Sequence, residues 1–332
     1  MQALVLTGAD TFALEERPDP VPGTGQVLLD VAYVGICGTD LHITQGIHPR
    51  ARFPLVLGHE VVGVARGGEH AGRPLLLDPL IACGRCVACR FGFGHVCSNL
   101  RLVGIDCDGG LAGRMVADAT RLHVVPDGVP LDLAALAEPL AVATHAVRRS
   151  SVRVGSHVVV AGAGPVGLLI ALVARRAGAA HVMLMEPAPG RRQLAEQLGF
   201  ILLDPHDPAA DLDVRTESRL ADVVFDAAAV APVAALLTRL VRPRGEIMLV
   251  GTYGHPTPLD LQAVLFRELS IHGNRVYSPD DIDAALGMLA AGDPDVRPLV
   301  TGIVTLDGAP AALRRLREGK GVKYLVDCGG RA

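Results

Sequence analysis

The sequence predicts an α/β protein in which an irregular, mostly β domain precedes a doubly wound parallel sheet. Three observations support this fold class. The pattern of apolar residues changes near residue 150, a glycine-rich turn follows an apolar run at 157–161, and four cysteines cluster at 83–97 in the first half. The chain has 332 residues, half of them apolar, which is enough for two domains with buried cores.

The first half contains short β-like runs separated by glycine and proline. These runs lie at 1–6, 26–34, 60–65 and 73–77, and the cysteine cluster follows them. Short strands with frequent Gly and Pro are typical of an irregular β domain. We therefore predict a first domain at residues 1–145.

After residue 150, predicted strands and helices alternate. The strands are predicted at 157–161, 181–186, 221–226, 246–250 and 269–273, and the helices at 165–176, 191–198, 231–241 and 259–267. The stretch 204–220 is predicted to be a short polar loop. Alternation of this kind indicates a parallel sheet with helices on both faces, here at residues 146–277.

The last segment, residues 278–332, is predicted to return to the first domain. It has predicted helices at 280–291 and 310–317 and a strand at 322–326. A proline at position 310 suits the first turn of the second helix, where its missing N–H has no cost.

Composition and charge exclude several classes of protein. The net charge of −4 comes from 31 basic and 35 acidic residues without a basic stripe, so nucleic acid is not an expected partner. Residues 157–174 are apolar enough to suggest a membrane span, but three glycines and a proline interrupt them, which favours a strand, a turn and a helix. The N-terminus lacks the pattern of a signal peptide, and we expect a cytoplasmic protein.

The turn after the strand at 157–161 has the spacing GxGxxG. A tight turn at Gly162, backbone approach at Gly164 and close helix packing at Gly167 are what a dinucleotide diphosphate requires, and Pro165 and Val166 open the helix whose N-terminus would face it. The motif alone is weak in a chain with 38 glycines, and the rival interpretation is a glycine-rich turn without a ligand. The strand before it and the helix after it favour the dinucleotide site.

An acidic residue ends the next predicted strand and indicates which dinucleotide binds. Glu186 lies 19 residues after Gly167, where a carboxylate accepts hydrogen bonds from ribose hydroxyls and repels a 2′-phosphate. Arg191 and Arg192 nearby weaken this preference, and we include Arg191 among the residues that contact the cofactor. The sequence therefore predicts NAD rather than NADP.

The cysteine cluster predicts a structural metal site. The spacing is C-x2-C-x2-C-x7-C, formed by Cys83, Cys86, Cys89 and Cys97. Four thiolates fit a closed tetrahedral zinc site without an open position for substrate. The rival is an iron–sulfur cluster, but the last gap of seven residues and the serine after the fourth cysteine do not match its usual spacing.

A second set of ligand types precedes that cluster. Cys37 and His59 would supply a thiolate and an imidazole, with a carboxylate from Glu60 or from Glu138, and this mixture suits a zinc ion that keeps an open position. Each residue alone is weak evidence, since a single cysteine or histidine is usually part of a core. Their occurrence beside a four-cysteine site and a dinucleotide turn strengthens the prediction.

With these motifs the chain resembles the zinc-containing medium-chain alcohol dehydrogenase family over nearly its full length. The motifs are CGTDLH at 37–42, GHEVVG at 58–63, CGRCVACRFGFGHVC at 83–97, EPLAV at 138–142 and GAGPVG at 162–167. They look most like the branch with sorbitol, threonine and butanediol dehydrogenases. The resemblance implies a GroES-like catalytic domain and a Rossmann domain.

The resemblance also implies a role for each site residue. The implied ligands of a catalytic zinc are Cys37, His59, Glu60 and, directly or through water, Glu138. Asp40 would orient the imidazole of His59. Thr39 would hydrogen-bond the substrate oxygen, and His42 would pass its proton to solvent. The segment 111–116, LAGRMV, departs from the family pattern, with Gly113 and Arg114 where an acidic and an aromatic residue are usual.

The implied function is NAD-linked oxidation of a secondary alcohol, namely a polyol, diol or amino alcohol, to the ketone, with two zinc ions per chain. One alternative is a zinc-dependent reductase of aldehydes or an enzyme that oxidises primary alcohols. Another is a non-catalytic NAD-binding zinc protein. We expect a homo-oligomer, either a dimer or a tetramer.

Overall fold

The computed structural model describes residues 1–330 of the chain. Contacts divide it into two units, one comprising Met1–Glu138 with the chain from Ser278 onward and the other comprising Pro139–Tyr277. The predicted boundary after residue 145 falls inside a helix, Ala137–Arg148, so the division by contacts comes earlier in the chain.

The strands are β1 Gln2–Gly8, β2 Thr11–Glu16, β3 Gln26–Gly35, β4 Leu55–Val56, β5 Glu60–Ala65, β6 Pro74–Leu77, β7 Leu80–Ile81, β8 Arg101–Leu102, β9 Arg114–Asp118, β10 Leu122–Val124, β11 His157–Ala161, β12 His181–Met185, β13 Ile201–Leu202, β14 Ala221–Asp226, β15 Val241–Leu249, β16 Ser270–Gly273, β17 Val300–Thr305 and β18 Lys323–Asp327. The α-helices are α1 Gly38–Thr44, α2 Val87–Arg90, α3 Leu131–Ala134, α4 Ala137–Arg148, α5 Pro165–Arg176, α6 Pro189–Gln197, α7 Pro208–Arg215, α8 Ala231–Leu240, α9 Leu261–Phe266, α10 Pro279–Ala291 and α11 Ala309–Arg317.

The first unit is built around the long strand β3. A seven-stranded sheet has the order β10-β6-β5-β3-β18-β17, and β9 also pairs with β3. Two small sheets, β2-β1-β4 and β7-β8, complete the unit. All six residues of β5 and five of the ten residues of β3 are buried, which identifies these strands as the centre of this sheet. An irregular, mostly β domain was the expectation for this part of the chain, and it is confirmed.

The second unit is a six-stranded parallel sheet in the order β13-β12-β11-β14-β15-β16. Strand order reverses between β11 and β14, so the chain moves outward in both directions from the middle of the sheet. In open sheets of this type, ligands bind at the carboxyl ends of strands at this switch point. The prediction of a doubly wound parallel sheet is confirmed.

Local signals explain where the helices of the second unit begin. Pro165 occupies the first turn of α5, where a proline has no hydrogen bond to lose. Eight consecutive residues of α5, 167–174, are buried, as expected for a helix that packs on a sheet. The apolar stretch 157–174 is therefore β11 followed by α5. Within the described residues 1–330, no helix is long and apolar enough to cross a membrane.

Some predicted elements differ from the structure. The stretch 204–220 is not simply a loop, since it contains the helix α7. The carboxylate of Asp207 accepts the N–H of Ala210 at 3.2 Å and caps that helix, and Pro208 follows at its first position. Strand β15 begins at Val241, five residues before the predicted start at 246.

Candidate active site

Sheet register brings the first metal-binding candidates together. Strand β3 runs antiparallel to β5 with Gly35 opposite Glu60, and antiparallel to β18 with Leu325 opposite Gly35. Cys37 follows the end of β3 and His59 precedes the start of β5, so both lie at the same end of the sheet. The pairing of two strands therefore places residues 22 positions apart side by side.

Three potential ligands form a compact buried group. One donor atom each from Cys37, His59 and Glu60 lies within 4.8 Å of the others. His59 and Glu60 are only 4% and 1% exposed. Glu138, at the start of α4, is also buried but lies outside this group. Its charge still contributes to raising the pKa of His59.

Asp40 lies behind the imidazole of His59. One carboxylate oxygen accepts the N–H of Cys37 at 2.9 Å, while the other lies 3.7 Å from Nδ1 of His59. This separation suits an ion pair but is longer than a hydrogen bond. Oδ1 of Asp40 and Nδ1 of His59 are both buried without a hydrogen-bond partner. A small movement of the ring would bring them into the hydrogen bond expected behind a metal-binding histidine.

The electrostatics of this group favour a bound cation. Burial alone would lower the pKa of His59, but Asp40 and Cys37 outweigh it and raise that pKa well above its usual value. Burial raises the pKa of Asp40. Thiol, imidazole and carboxylate donors concentrated in a buried space suit a zinc ion, which would compensate the negative charge there.

Sequence reasoning missed Lys323, which is 1% exposed and lies at the start of β18. Its ammonium group donates to the carbonyl of Ile36 at 3.0 Å and to the carboxylate of Glu60. Burial alone would lower the pKa of Lys323, but Glu60 outweighs it and raises that pKa. Because Ile36 precedes Cys37, one side chain holds both ligand-bearing segments.

A signal for this lysine was present in the sequence. Lys323 is one of only two lysines in the chain, and it stands in the apolar run VKYLV. Lysine is almost never fully buried unless it has a charged partner. A lysine in a predicted core strand therefore indicates a buried carboxylate somewhere else in the fold.

Gly35 leaves the space that the carboxylate of Glu60 occupies. A Cβ at this position would lie 1.9 Å from Oε2 of Glu60, so any other residue would displace that carboxylate. The glycine at the end of β3 is therefore required by the position of the carboxylate opposite it.

Thr39 and His42 lie on helix α1, directly after Cys37. Residues three apart on a helix share a face, so these two side chains are neighbours. Oγ1 of Thr39 is 3.8 Å from Sγ of Cys37, and His42 is exposed. The helix therefore leads from the buried group to solvent through two polar side chains.

The second group of potential ligands is formed by Cys83, Cys86, Cys89 and Cys97, with all four sulfur atoms within 4.8 Å of one another. Sγ of Cys86 lies 3.5 Å from that of Cys89 and 3.8 Å from that of Cys97. Four sulfurs placed tetrahedrally at zinc–sulfur bond length would be about 3.8 Å apart, so the observed spacing fits this ion.

Backbone N–H groups point at these sulfur atoms and favour thiolates. Those of Cys83 and Asn99 each lie 3.3 Å from Sγ of Cys97. The N–H groups of Cys89 and Ser98 lower the pKa of Cys86 to about 6. Burial and the neighbouring cysteines raise the pKa of Cys89 to about 11, and because like charges repel, several thiolates cannot share so small a volume without a cation between them.

The glycine-rich turn in the second unit has the geometry that a dinucleotide diphosphate requires. Gly162 has a φ of +99°, a backbone conformation that residues other than glycine rarely adopt. A Cβ at Gly167 would lie 1.9 Å from the carbonyl oxygen of Gly162. At Gly164 a Cβ would meet only Nη1 of Arg191, at 3.9 Å, so the protein itself leaves open space there.

Glu186 follows β12 and its carboxylate lies against this turn. It is 5% exposed and accepts the N–H groups of Ala163 at 2.9 Å and Ala188 at 2.8 Å. Arg191 Nη1 lies 4.0 Å from the carboxylate. Arg192 instead donates to the carbonyls of Glu186 and Leu203, so of these two arginines only Arg191 lies beside the acidic group.

Comparison with known proteins agrees with this arrangement of sites. The profile of the alcohol dehydrogenase GroES-like domain matches residues 23–127, and that of zinc-binding dehydrogenases matches residues 165–291. The chain is 38% identical to 2-dehydro-3-deoxy-L-galactonate 5-dehydrogenase of Pseudoalteromonas atlantica, over 99% of both proteins. The chain belongs to the zinc-containing medium-chain alcohol dehydrogenase family.

Other members of the family show similar agreement over the full chain. Sorbitol dehydrogenase of Halalkalibacterium halodurans is 32% identical over 98% of this chain and 99% of its own. The crystal structure of a zinc-binding dehydrogenase from Sinorhizobium meliloti bound to NADP is 30% identical, covers 98% of both chains and superimposes with a TM-score of 0.91. The protein is therefore an oxidoreductase that uses zinc and a nicotinamide cofactor.

Proposed function

We propose that this enzyme oxidises a secondary alcohol of a polyhydroxylated substrate to the ketone and transfers the hydride to NAD. The observation that carries the proposal is the buried group of Cys37, His59 and Glu60, which is separate from the four-cysteine group. A closed four-thiolate site has a structural role, whereas three mixed protein ligands leave a position for substrate.

The residues present fit a catalytic zinc. Cys37, His59 and Glu60 would hold it, with Lys323 keeping the carboxylate of Glu60 in place and Asp40 behind the imidazole. Glu138 lies outside the compact group, so we assign it a position beyond the direct ligands. When bound, zinc supplies Lewis acidity toward the substrate oxygen.

Thr39 and His42 would remove the hydroxyl proton. The hydroxyl of Thr39 can accept a hydrogen bond from the substrate near Cys37, and exposed His42 on the same helix face can take the proton onward. A histidine suits this general-base role near neutral pH. A bound nicotinamide would supply the hydride acceptor.

Glu186 supports NAD as the cofactor. Its buried carboxylate lies next to the glycine-rich turn, where it can accept hydrogen bonds from ribose hydroxyls. The residues of this turn that we assign to the cofactor are Gly162, Gly164, Pro165, Val166 and Gly167. A 2′-phosphate would meet a like charge at this point. Arg191, 4.0 Å from the carboxylate, reduces the discrimination without replacing the acidic group.

The names of the relatives indicate the substrate class. One relative is named for a sugar acid and another for sorbitol, a neutral polyol. Both of these molecules carry secondary hydroxyl groups, so we extend the oxidation of a secondary alcohol to this enzyme. We also expect a homo-oligomer, which light scattering measures.

A zinc-depleted and a zinc-loaded preparation of the full chain test the proposal. We expect NADH formation from a panel of polyols, diols, amino alcohols and sugar acids only with the loaded protein, and a bound zinc content of two per chain. Zinc-loaded protein that binds NADH but oxidises no member of the panel would instead support the non-catalytic alternative.

A further inference from the structure

The first unit contains a cavity of about 420 Å³ formed by two segments that are distant in sequence. Four residues of the segment 50–55, after helix α1, line one side, and five residues of the segment 101–108 line the other. Three arginines contribute to its wall, Arg50, Arg52 and Arg101, together with two carboxylates, Asp106 and Asp108.

The walls of this cavity adjoin the segments that carry the proposed metal ligands. Gly110 donates its N–H to the carbonyl of Gly58 at 2.9 Å, so the chain that follows the cavity wall packs directly against the residue before His59. The other wall, formed by the segment 50–55, is connected to helix α1 by a short segment that contains His48. Burial and the charge of Arg50 lower the pKa of His48, and Asp106 opposes them only in part.

The two carboxylates of the cavity already have partners. Asp106 accepts the N–H of Leu102 at 2.8 Å and pairs with Arg50 at 3.3 Å. Asp108 accepts the N–H of Val56 at 2.9 Å and lies 3.4 Å from Arg17.

Arg52 and Arg101 have no such neutralising partner. Arg52 donates to the carbonyls of Pro49 and Ala51, and Arg101 donates to the carbonyl of Asp106 at 3.3 Å. No carboxylate in the described residues 1–330 pairs with either guanidinium within 4.0 Å. Two exposed cations therefore line the cavity with donors to spare, since each guanidinium has five N–H groups.

We propose that this cavity binds a carboxylate at the end of the substrate remote from the reacting hydroxyl, through Arg52 and Arg101. The substrate class is then a polyhydroxy acid rather than a neutral polyol, and this assignment rests on the function proposed above. A guanidinium matches the planar carboxylate with two parallel hydrogen bonds. A phosphate monoester offers a guanidinium the same paired acceptors, and comparison of galactitol 1-phosphate with galactonate distinguishes it from the carboxylate.

Matched substrates test the assignment on the zinc-loaded full chain. Gluconate is compared with sorbitol, and galactonate with galactitol, by kcat/KM for NADH formation. We expect at least one acid to exceed its neutral partner by about tenfold, mainly through KM, and to lose this advantage at high salt. A neutral polyol favoured over both acids, or a preference for galactitol 1-phosphate over galactonate, would contradict the proposal.

Charge-removing variants locate the effect in the cavity. Arg52→Gln and Arg101→Gln should each lower kcat/KM for the preferred acid by about tenfold, as expected for loss of a charged hydrogen bond, and leave neutral polyols within about twofold. Arg73→Gln, an exposed arginine outside the cavity, is the matched control and should change neither. Equal losses with acids and polyols would indicate a structural role and overturn the assignment.

Binding separates this inference from the proposed function. Calorimetry of the same acid with the zinc-loaded protein and NADH should give about tenfold weaker binding in the Arg52 and Arg101 variants. If the unmodified protein oxidised nothing but bound the acid in an arginine-dependent manner, only the proposed function would fail. If it oxidised polyols but neither variant weakened acid binding, only the cavity assignment would fail.

Discussion

The molecule contains two groups of potential zinc ligands, and they are built in different ways. The four-cysteine group comes from one segment of 15 residues, and three of its four cysteines are only partly buried. The group of Cys37, His59 and Glu60 is assembled by strands β3, β5 and β18, and two of its three residues, His59 and Glu60, are buried. One site depends on local sequence and the other on sheet register.

Because of this difference, the two sites should respond differently to the loss of a metal ligand. Without its metal, the loop that carries the four cysteines should lose its folded conformation, because a short polar segment makes few apolar contacts of its own. The buried group stays positioned by backbone pairing and by the ion pair of Lys323 with Glu60. Loss of a ligand there should remove the chemistry and leave the fold.

Paired serine variants give the largest expected effect. Cys37→Ser should reduce turnover by at least about a thousandfold, since a metal ion contributes several kcal/mol of transition-state stabilisation. Its thermal unfolding and NAD binding should stay close to those of the unmodified protein. Cys89→Ser should lower the unfolding temperature first, with activity following stability. Calorimetric scans and kcat measured on both variants check this; loss of activity only through unfolding in both would remove the distinction.

Lys323→Met tests whether the buried ion pair positions the site. Breaking a buried pair leaves an uncompensated carboxylate, and we expect a loss of about 3 kcal/mol in the free energy of unfolding of the zinc-depleted protein. Urea denaturation measures it. Adding Glu60→Gln should restore part of the loss, because no unpaired charge then remains.

The chain offers a matched control for this change. Lys320 is 72% exposed and pairs with Glu318 on the surface at 2.8 Å. Surface pairs contribute about 0 to 1 kcal/mol, so Lys320→Met should have little effect. Equal effects of the two methionine variants would show that the buried pair has no special role.

Glu186→Gln tests the local cofactor turn. The unmodified enzyme should prefer NAD over NADP by about ten- to a hundredfold in kcat/KM, from ribose hydrogen bonds and like-charge repulsion. The amide keeps an acceptor for the N–H of Ala163 but removes the charge, so the preference should narrow to about tenfold or less. Equal use of both cofactors by the unmodified protein would mean that Arg191 dominates.

His42→Ala has the smallest expected effect and tests whether His42 carries a proton without binding the metal. We expect a loss of about tenfold in kcat at neutral pH, because water can partly replace an exposed proton carrier. The loss should shrink at high pH, where hydroxide takes the proton. Zinc content should not change; a variant with less zinc, or the same loss at every pH, would identify His42 as a structural or metal-binding residue.

The sequence predicted the local features best. The alternation of strands and helices, the turn from Gly162 to Gly167 and the cysteine spacing each depend on residues that are close in the chain. The sequence did not predict helix α7 because its polar composition is typical of a loop, although Asp207 and Pro208 are residue types that begin helices.

Long-range features could not be predicted in the same way. The contact of Lys323 with Glu60 joins residues 263 positions apart, and it depends on β18 lying beside β3. The cavity with Arg52 and Arg101 needs two loops to meet. Neither the Lys323–Glu60 contact nor the meeting of the two cavity segments leaves a periodic pattern in the sequence, because both depend on how distant parts of the chain pack together.

Zinc content, measured on three forms of the protein, distinguishes a catalytic zinc held by residues that strand pairing brings together from a separate structural zinc held within one loop. Metal analysis is carried out on the unmodified chain, Cys37→Ser and Cys89→Ser, each purified as folded protein. We expect two zinc ions in the unmodified chain and one in each variant, with NADH formation lost in Cys37→Ser while its fold is retained. One zinc in the unmodified chain, unchanged by Cys37→Ser, would contradict it.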